Sequence, residues 1–291
     1  MFNKLSQDDN KRIKALLSFV LIILFWLSAG VALTIFFRAI ITSISPSFAA
    51  TNYYRYIEIN ISFFAMALGL YVSLKYIMTI RLRMLVSRFD KYNRSYLLIP
   101  FVITIIALLL YLVIGSIIGY KEVAFNDIAL KERLIFLVII LILTPFQCFM
   151  EEILYRGVLL RAIVGEFTDE NKLISIIASI IVAIAFTLPH LSNPEVASYN
   201  YFPLIYYFIF GFLTSIFTLH YKSVEIAIAV HSANNLFVAL ICNYPSSALS
   251  SQSLFLETQE KAHYFDYLVL ILIFLAIYIA LKKVSEKKKN N

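Results

Sequence analysis

Eight apolar runs set the terms for this chain. They lie at about 15–37, 57–80, 96–119, 134–164, 173–190, 202–220, 223–242 and 264–282. Each is near the ~20 residues that a helix needs to cross the hydrocarbon of a bilayer. Lipid offers no partner to backbone N–H and C=O groups, so runs of this length are viable as helices that satisfy those groups internally. The expected fold class is all-α: a polytopic transmembrane helical bundle of about eight spans. Composition agrees, at 61% hydrophobic and 15% charged over 291 residues, where soluble domains carry ~25% charge. The fourth run is too long for one straight crossing, and Pro145 within it predicts a kink. The first run follows a basic lead of Lys4, Lys11, Arg12 and Lys14 and exceeds a signal-peptide core, so an uncleaved first span is expected.

The net charge of +7 does not point to nucleic acid, because the Lys and Arg residues sit mainly between and after the apolar runs. That placement is a topology signal. With the N-terminus in the cytoplasm, the inner segments hold eighteen Lys and Arg residues (among them Arg81, Arg83, Arg88, Lys91, Arg94, Arg156, Arg161, Lys172, Lys222 and the tail lysines). The outer segments hold six: Arg38, Arg55, Lys121, Lys131, Arg133 and Lys261. The bias predicts a multi-pass protein of the cell membrane with both termini cytoplasmic. Tyr53, Tyr54, Tyr56, Tyr199, Tyr201, Tyr264 and Tyr267 fall at span ends, where an interfacial aromatic belt would place them. The Ser-rich connection 243–263 reads as a mobile outer loop, and Cys148 and Cys242 as two buried thiols.

Three polar clusters interrupt this pattern. The first is Glu151-Glu152-Ile153-Leu154-Tyr155-Arg156, inside the fourth run. Charges in hydrocarbon cost at least a few kcal/mol each, so such a set marks a functional site by default. On a helix Glu152 and Arg156 are four apart on one face, in the favourable order, which predicts a structural ion pair. Glu151 points ~100° away and is the free carboxylate, suited to act as a general base. The second cluster is Phe186-Thr187-Leu188-Pro189-His190, closing span five. The third is His231-Ser232-Ala233-Asn234-Asn235 in span seven, with His231 and Asn235 on one face. Counting a 1.5 Å rise from a hairpin turn at 165–172 puts Glu151 about 21 Å and His190 about 26 Å away. Asn235 reaches a similar level, about 18 Å into span seven, while His231 at about 12 Å falls short unless that span starts deeper. The active-site cavity is expected between spans four, five and seven. His220, His263, Glu58, Lys75 and Glu225 are expected to be interfacial or locally paired.

At these residues the chain resembles the CAAX-protease and bacteriocin-processing (CPBP, or Abi) family, relatives of the type II CAAX prenyl endopeptidase. The family motifs E-E-x-x-x-R, F-x-x-x-H and H-x-x-x-N stand here as Glu151 to Arg156, Phe186 to His190 and His231 to Asn235, over roughly 145–242. The resemblance implies three parts: 1–130 as motif-free N-terminal spans, 131–245 as the catalytic core, and 246–291 as outer loop, last span and basic tail. It implies Glu151 as general base with His190 as its partner, and His231 and Asn235 as the groups that stabilise the oxyanion. The implied activity is a membrane-embedded endopeptidase cutting a small or membrane-attached peptide or protein. The implied partners are that substrate and the bilayer. A non-proteolytic immunity or scaffold protein, binding a bacteriocin-like peptide or another membrane protein, is the alternative. No cofactor is expected. Zinc is the competing account, with Glu151, His190 and His231 as its ligands. The prenyl-protease relatives imply a site open to the cytosol, whereas the rise count puts these residues toward the outer half, so the side of access stays open.

Overall fold

The computed structural model describes residues 7–89, 92–165, 171–259 and 264–290. Lys4, Lys91, Lys261, His263 and residues 166–170 of the expected turn lie outside them, as do the side chains of Lys287, Lys288 and Lys289. Among the described residues seven helices are long and apolar enough to cross a membrane. They are α1 (Asp9–Ile44), α2 (Asn52–Met78), α3 (Arg94–Ile117), α4 (Leu130–Val164), α5 (Lys172–Ser192), α6 (Phe202–Tyr221) and α8 (Phe265–Glu286). Between the last two lies α7 (Glu225–Leu240).

The seventh expected span is thus shorter than the others. Its 16 residues span about 24 Å, less than the hydrocarbon thickness. It can be short because protein, not lipid, surrounds it. Ile226, Ala227, Ala229, Val230, Ala233 and Ala239 are all nearly or fully buried, and α7 packs between α3 and α4 and beside α6. The chain before it and its first residue are also buried: Ser223, Val224 and Glu225 are inaccessible. Helix α7 therefore starts inside the protein, level with the start of α3 where Asn93 N–H donates to Glu225, and His231 still reaches Glu151 and Glu152 on α4.

The helix ends are set by local chemistry. Asn171 accepts hydrogen bonds from the backbone N–H of Leu173 and Ile174, capping α5. Thr51 and Asn93 do the same for α2 and α3. Close approach of α1 and α2 needs Gly69, where a Cβ would fall 2.8 Å from the Cβ of Phe25, the small-residue contact common between membrane helices. Helix α4 keeps Pro145 inside it and changes to π-helical winding over Ile153–Leu159, directly after the two glutamates. Single π turns within α-helices recur at functional sites.

The described part of the Ser-rich connection is not a loose loop. Strands β1 (Val123–Phe125), β2 (Cys242–Asn243) and β3 (Phe255–Glu257) form a sheet in the order β1-β3-β2. Strand β3 is antiparallel to β1, with Val123 opposite Glu257, and parallel to β2, with Cys242 opposite Phe255. The serines themselves tie the segment down. Ser253 Oγ accepts from the Asn243 backbone N–H and donates to Phe255 O, while Asn243 Nδ2 donates to Leu249 O and Ser251 Oγ. Short polar side chains bond neighbouring backbone in this way, so Ser richness here specifies structure.

Two other expectations change. Tyr54 and Tyr56 are buried and do not belong to an interfacial belt; Tyr56 Oη shares a hydrogen bond of 2.6 Å with Thr144 Oγ1 on α4. Arg156 is wholly buried, so it carries no topology signal. Glu58 pairs with Arg38 at 2.5 Å and Lys75 bonds the Tyr71 hydroxyl, as expected. Glu225 receives the Asn93 backbone N–H and the Ser223 hydroxyl. Cys148 and Cys242 are both buried.

Lys121 holds the rim together. Its Nζ lies 2.6 Å from Glu257 Oε1 on β3 and 3.9 Å from Asp266 at the start of α8, with the Tyr111 ring 4.9 Å away. Burial works to lower the Lys121 pKa, but Asp266 and Glu257 more than reverse this and the group ends raised. Its stabilisation is therefore complete below the ordinary lysine range, about 10.4, and is lost only as pH rises through the raised value. Lys121→Ala removes the cation shared by Glu257 and Asp266 and is expected to cost ~1–3 kcal/mol. A lower thermal midpoint in a detergent melt at neutral pH would register it; an unchanged midpoint would mean the sheet holds without the lysine.

Candidate active site

All four residues assigned catalytic roles line one chamber of about 260 Å³: Glu151 from α4, His190 at the end of α5, and His231 and Asn235 from α7. The chamber also receives Gln147, Asn193, Glu195, Tyr206, Tyr207 and Asn234.

The two neighbouring glutamates have different company. Glu152 is inaccessible, and so is Arg156 one helical turn on. Arg156 Nη1 donates to Glu152 Oε1 at 3.1 Å, and Nη2 donates to Gly211 O on α6 at 3.2 Å. The guanidinium also lies over the Phe186 ring, 4.4 Å from its centroid, a favourable site for a desolvated cation. The expected structural ion pair is present, and it has a third member. His231 Nδ1 stands 2.7 Å from Glu152 Oε1. One carboxylate thus orients both the arginine and the imidazole of α7. Glu151 sits differently. Its Oε1 receives Gln147 Nε2 at 3.4 Å, and its Oε2 is 3.6 Å from His231 Nε2. The imidazole beside Glu151 is therefore that of His231.

His190 is held by its own neighbours. Nδ1 is 2.8 Å from Phe186 O, which leaves Nε2 for the chamber. Its ring packs on Tyr207 with centroids 3.9 Å apart and on Phe186 at 4.9 Å. Tyr207 donates its hydroxyl to Glu195, and Asn193 Nδ2 donates to the same carboxylate at 2.9 Å. Asn235 is oriented by a second chain. Tyr206 donates to Asn234 Oδ1 at 2.9 Å, and Asn234 Nδ2 donates to Asn235 Oδ1 at 3.1 Å. With its oxygen so engaged, the Asn235 Nδ2 group is the one left for a ligand.

Sequence reasoning missed these supporting residues. Gln147 was in principle legible, one turn before Glu151 on the same face. Tyr206 and Tyr207 were not, since α6 carries no charged signal and its aromatics read as lipid-facing bulk. Glu195 follows Asn193-Pro194 in what reads as an outer loop, yet it is 2% exposed.

His231 has Nδ1 on Glu152 and Nε2 toward Glu151, and among the described residues no group of three or more His, Cys, Asp and Glu side chains is placed to hold a metal ion.

Gly211 controls how closely α6 approaches α5. A Cβ there would lie 2.9 Å from Ala183 Cα and 3.2 Å from its Cβ. Gly211→Ala must push α6 away and lengthen the bond from Arg156. Such overpacking costs ~1–3 kcal/mol, so a lower yield of folded protein and a lower thermal midpoint are expected. Wild-type values for both would show that the contact has slack.

Residues 133–237 match the family described as type II CAAX prenyl endopeptidase Rce1-like. The chain is also similar to the uncharacterized protein YyaK of Bacillus subtilis (strain 168), at 25% identity over 224 residues, covering 76% of this chain and 73% of that protein. No solved structure matches it. The matched stretch contains all three motifs and every residue of the Glu151, Glu152, Arg156, His190, His231 and Asn235 constellation, and over residues 133–237 the chain is similar to the Rce1-like type II CAAX prenyl endopeptidases.

Proposed function

We propose that the chain is a metal-independent, membrane-embedded endopeptidase in which Glu151 activates water. The observation that carries this reading is the unequal treatment of the two glutamates. Glu152 is committed to Arg156 and His231, whereas Glu151 faces the chamber with only the long contacts of Gln147 and His231. A scaffold or immunity protein has no need to hold one carboxylate uncommitted beside two imidazoles and an amide donor.

The reaction follows from the placements. Water enters between Glu151 and the Nε2 of His190. Glu151 takes one of its protons, and the resulting hydroxide equivalent adds to the scissile carbonyl carbon. The carbonyl oxygen becomes an oxyanion, which Asn235 Nδ2 and an imidazolium His231, donating Nδ1–H to Glu152 and Nε2–H to the chamber, stabilise. Glu151 then passes its proton to the amide nitrogen. The C–N bond breaks, leaving a carboxylic acid and an amine, and the acid proton passes to the amine to give carboxylate and ammonium. Tyr207 and Glu195 hold His190, and Tyr206 and Asn234 hold Asn235, so the donors are fixed before substrate arrives.

The test is hydrolysis by purified protein in lipid nanodiscs. It would be offered a mixture of apolar peptides in ¹⁸O water, with mass spectrometry reading the heavy label in any new C-terminus. A labelled product that survives a strong chelator and vanishes in Glu151→Gln supports the reading. Loss of product on chelation, with recovery on added zinc, would replace it with the metal account.

A further inference from the structure

We propose that the chamber is entered from the extracytoplasmic face, beneath the β-sheet rim, and that its substrate is a peptide segment presented at that face. The inference rests on the hydrolytic reading of the site and adds to it the side and source of the substrate.

Three independent observations carry it. The first is that the chamber is closed at the end away from the sheet. The short helix Leu82–Val86 packs under the π turn of α4, with Leu85 Cβ 3.5 Å from where a Cβ on Gly157 would stand. The backbone after it is bonded to the chain entering α7. Val224 N–H donates to Val86 O at 2.7 Å, Arg88 N–H to Lys222 O at 3.1 Å, and Ser87 bridges to Ser223. Asn93 N–H donates to Glu225 at 2.8 Å. Leu85, Val86, Ser87, Ser223, Val224 and Glu225 are all buried. A peptide coming from this end meets a hydrogen-bonded floor.

The second is where the walls lead. From His231 to the end of α7 at Leu240 is nine residues, about 14 Å. Along that rise the lining passes to Tyr199, Tyr244, Glu257 of β3 and Asp266 at the start of α8, all at the sheet end of the helices. The segment 244–249 lies at this mouth, tied by Ala248 N–H donating to Glu195 Oε2 at 3.0 Å. Entry is therefore past one hydrogen-bonded segment rather than through packed helix. The walls above the catalytic groups include Leu108, Leu112, Leu270 and Ile273, which suits a peptide with apolar residues flanking the scissile bond.

The third is charge. The sheet, its connections and the chamber mouth lie at the ends of the helices that carry few Lys and Arg residues. Removing buried Arg156 from the eighteen on the other face leaves seventeen against six. By the positive-inside rule the floor faces the cytoplasm and the mouth faces out.

Cysteine accessibility tests the entry route without measuring hydrolysis, so its failure leaves the Glu151 reading untouched, and failure of the peptide assay removes the substrate but leaves the entry route standing. Ser250→Cys marks the rim, Val238→Cys and Leu249→Cys the chamber and its mouth, and Met84→Cys the floor side. Each full-length variant is treated with a charged, membrane-impermeant thiol reagent in right-side-out and inside-out vesicles. Peptide mapping separates new cysteines from buried Cys148 and Cys242. Labelling of the rim and of at least one chamber position from outside, with Met84→Cys labelled only in inside-out vesicles, is the expected result. Chamber labelling only from the Met84 side, a reversed rim and floor, or silence of both chamber positions on both sides overturns the proposal.

Discussion

Glu152→Ala is expected to abolish accumulation of folded protein. The substitution removes the partner of a wholly buried guanidinium and, at the same atom, the partner of His231 Nδ1. Removing one member of a buried ion pair costs ~3–5 kcal/mol, and here the orphaned charge sits among Phe186, Phe210 and Tyr155, where water cannot replace the lost carboxylate. Set against typical stabilities of ~5–15 kcal/mol, the loss takes most of the margin. Protein level in membranes, compared at equal transcript, is the measurement. Glu152→Gln separates charge from hydrogen bonding, since the amide still offers Arg156 an acceptor but no countercharge; its level should fall between the other two. Wild-type amounts of Glu152→Ala would mean that Gly211 O and the aromatic rings suffice for Arg156.

Glu151→Gln is expected to do the opposite: to leave the protein level unchanged and remove hydrolysis. Glutamine has the shape of glutamate and keeps an oxygen for Gln147 Nε2, so the packing at this 6% exposed site survives. What it lacks is a lone pair basic enough to take a proton from water. General base catalysis contributes ~10²–10⁴-fold, and a loss in that range in kcat, with KM little changed, is the expected signature. A loss confined to KM would mark Glu151 as a binding group instead. Together the two variants dissociate stability from chemistry at adjacent positions, which neither a scaffold nor a two-carboxylate site would do.

Much of this division was legible in the sequence. The i,i+4 spacing of Glu152 and Arg156 predicted their pairing because helix geometry alone brings those side chains together. The spacing equally separated Glu151 from them. The three motifs identified the helices that meet at the site because charged and amide groups inside apolar runs stand out against their background. The supporting residues did not stand out. Tyr206 and Tyr207 acquire meaning only from Asn234 and His190 on other helices, and Glu195 only from Tyr207 and Ala248. Contacts between residues far apart in the chain leave no local pattern. The Ser-rich segment misled for a related reason. Serine in a loop signals exposure on average, but here Ser247, Ser251 and Ser253 close bonds to backbone and to Asn243.

The sequence by itself determined that the chain is a helical membrane bundle, which of its faces is rich in positive charge, and which polar groups are too costly to be accidental. Those properties follow from transfer energies and helical periodicity, which act residue by residue. Only the tertiary structure decided that His231 reaches Glu151 and Glu152, that α7 is enclosed by protein from its first residue, and that one end of the chamber is closed. Depth and closure depend on how segments far apart in the chain, 82–93 and 222–225 above all, hydrogen-bond and pack against one another, and no local pattern encodes that.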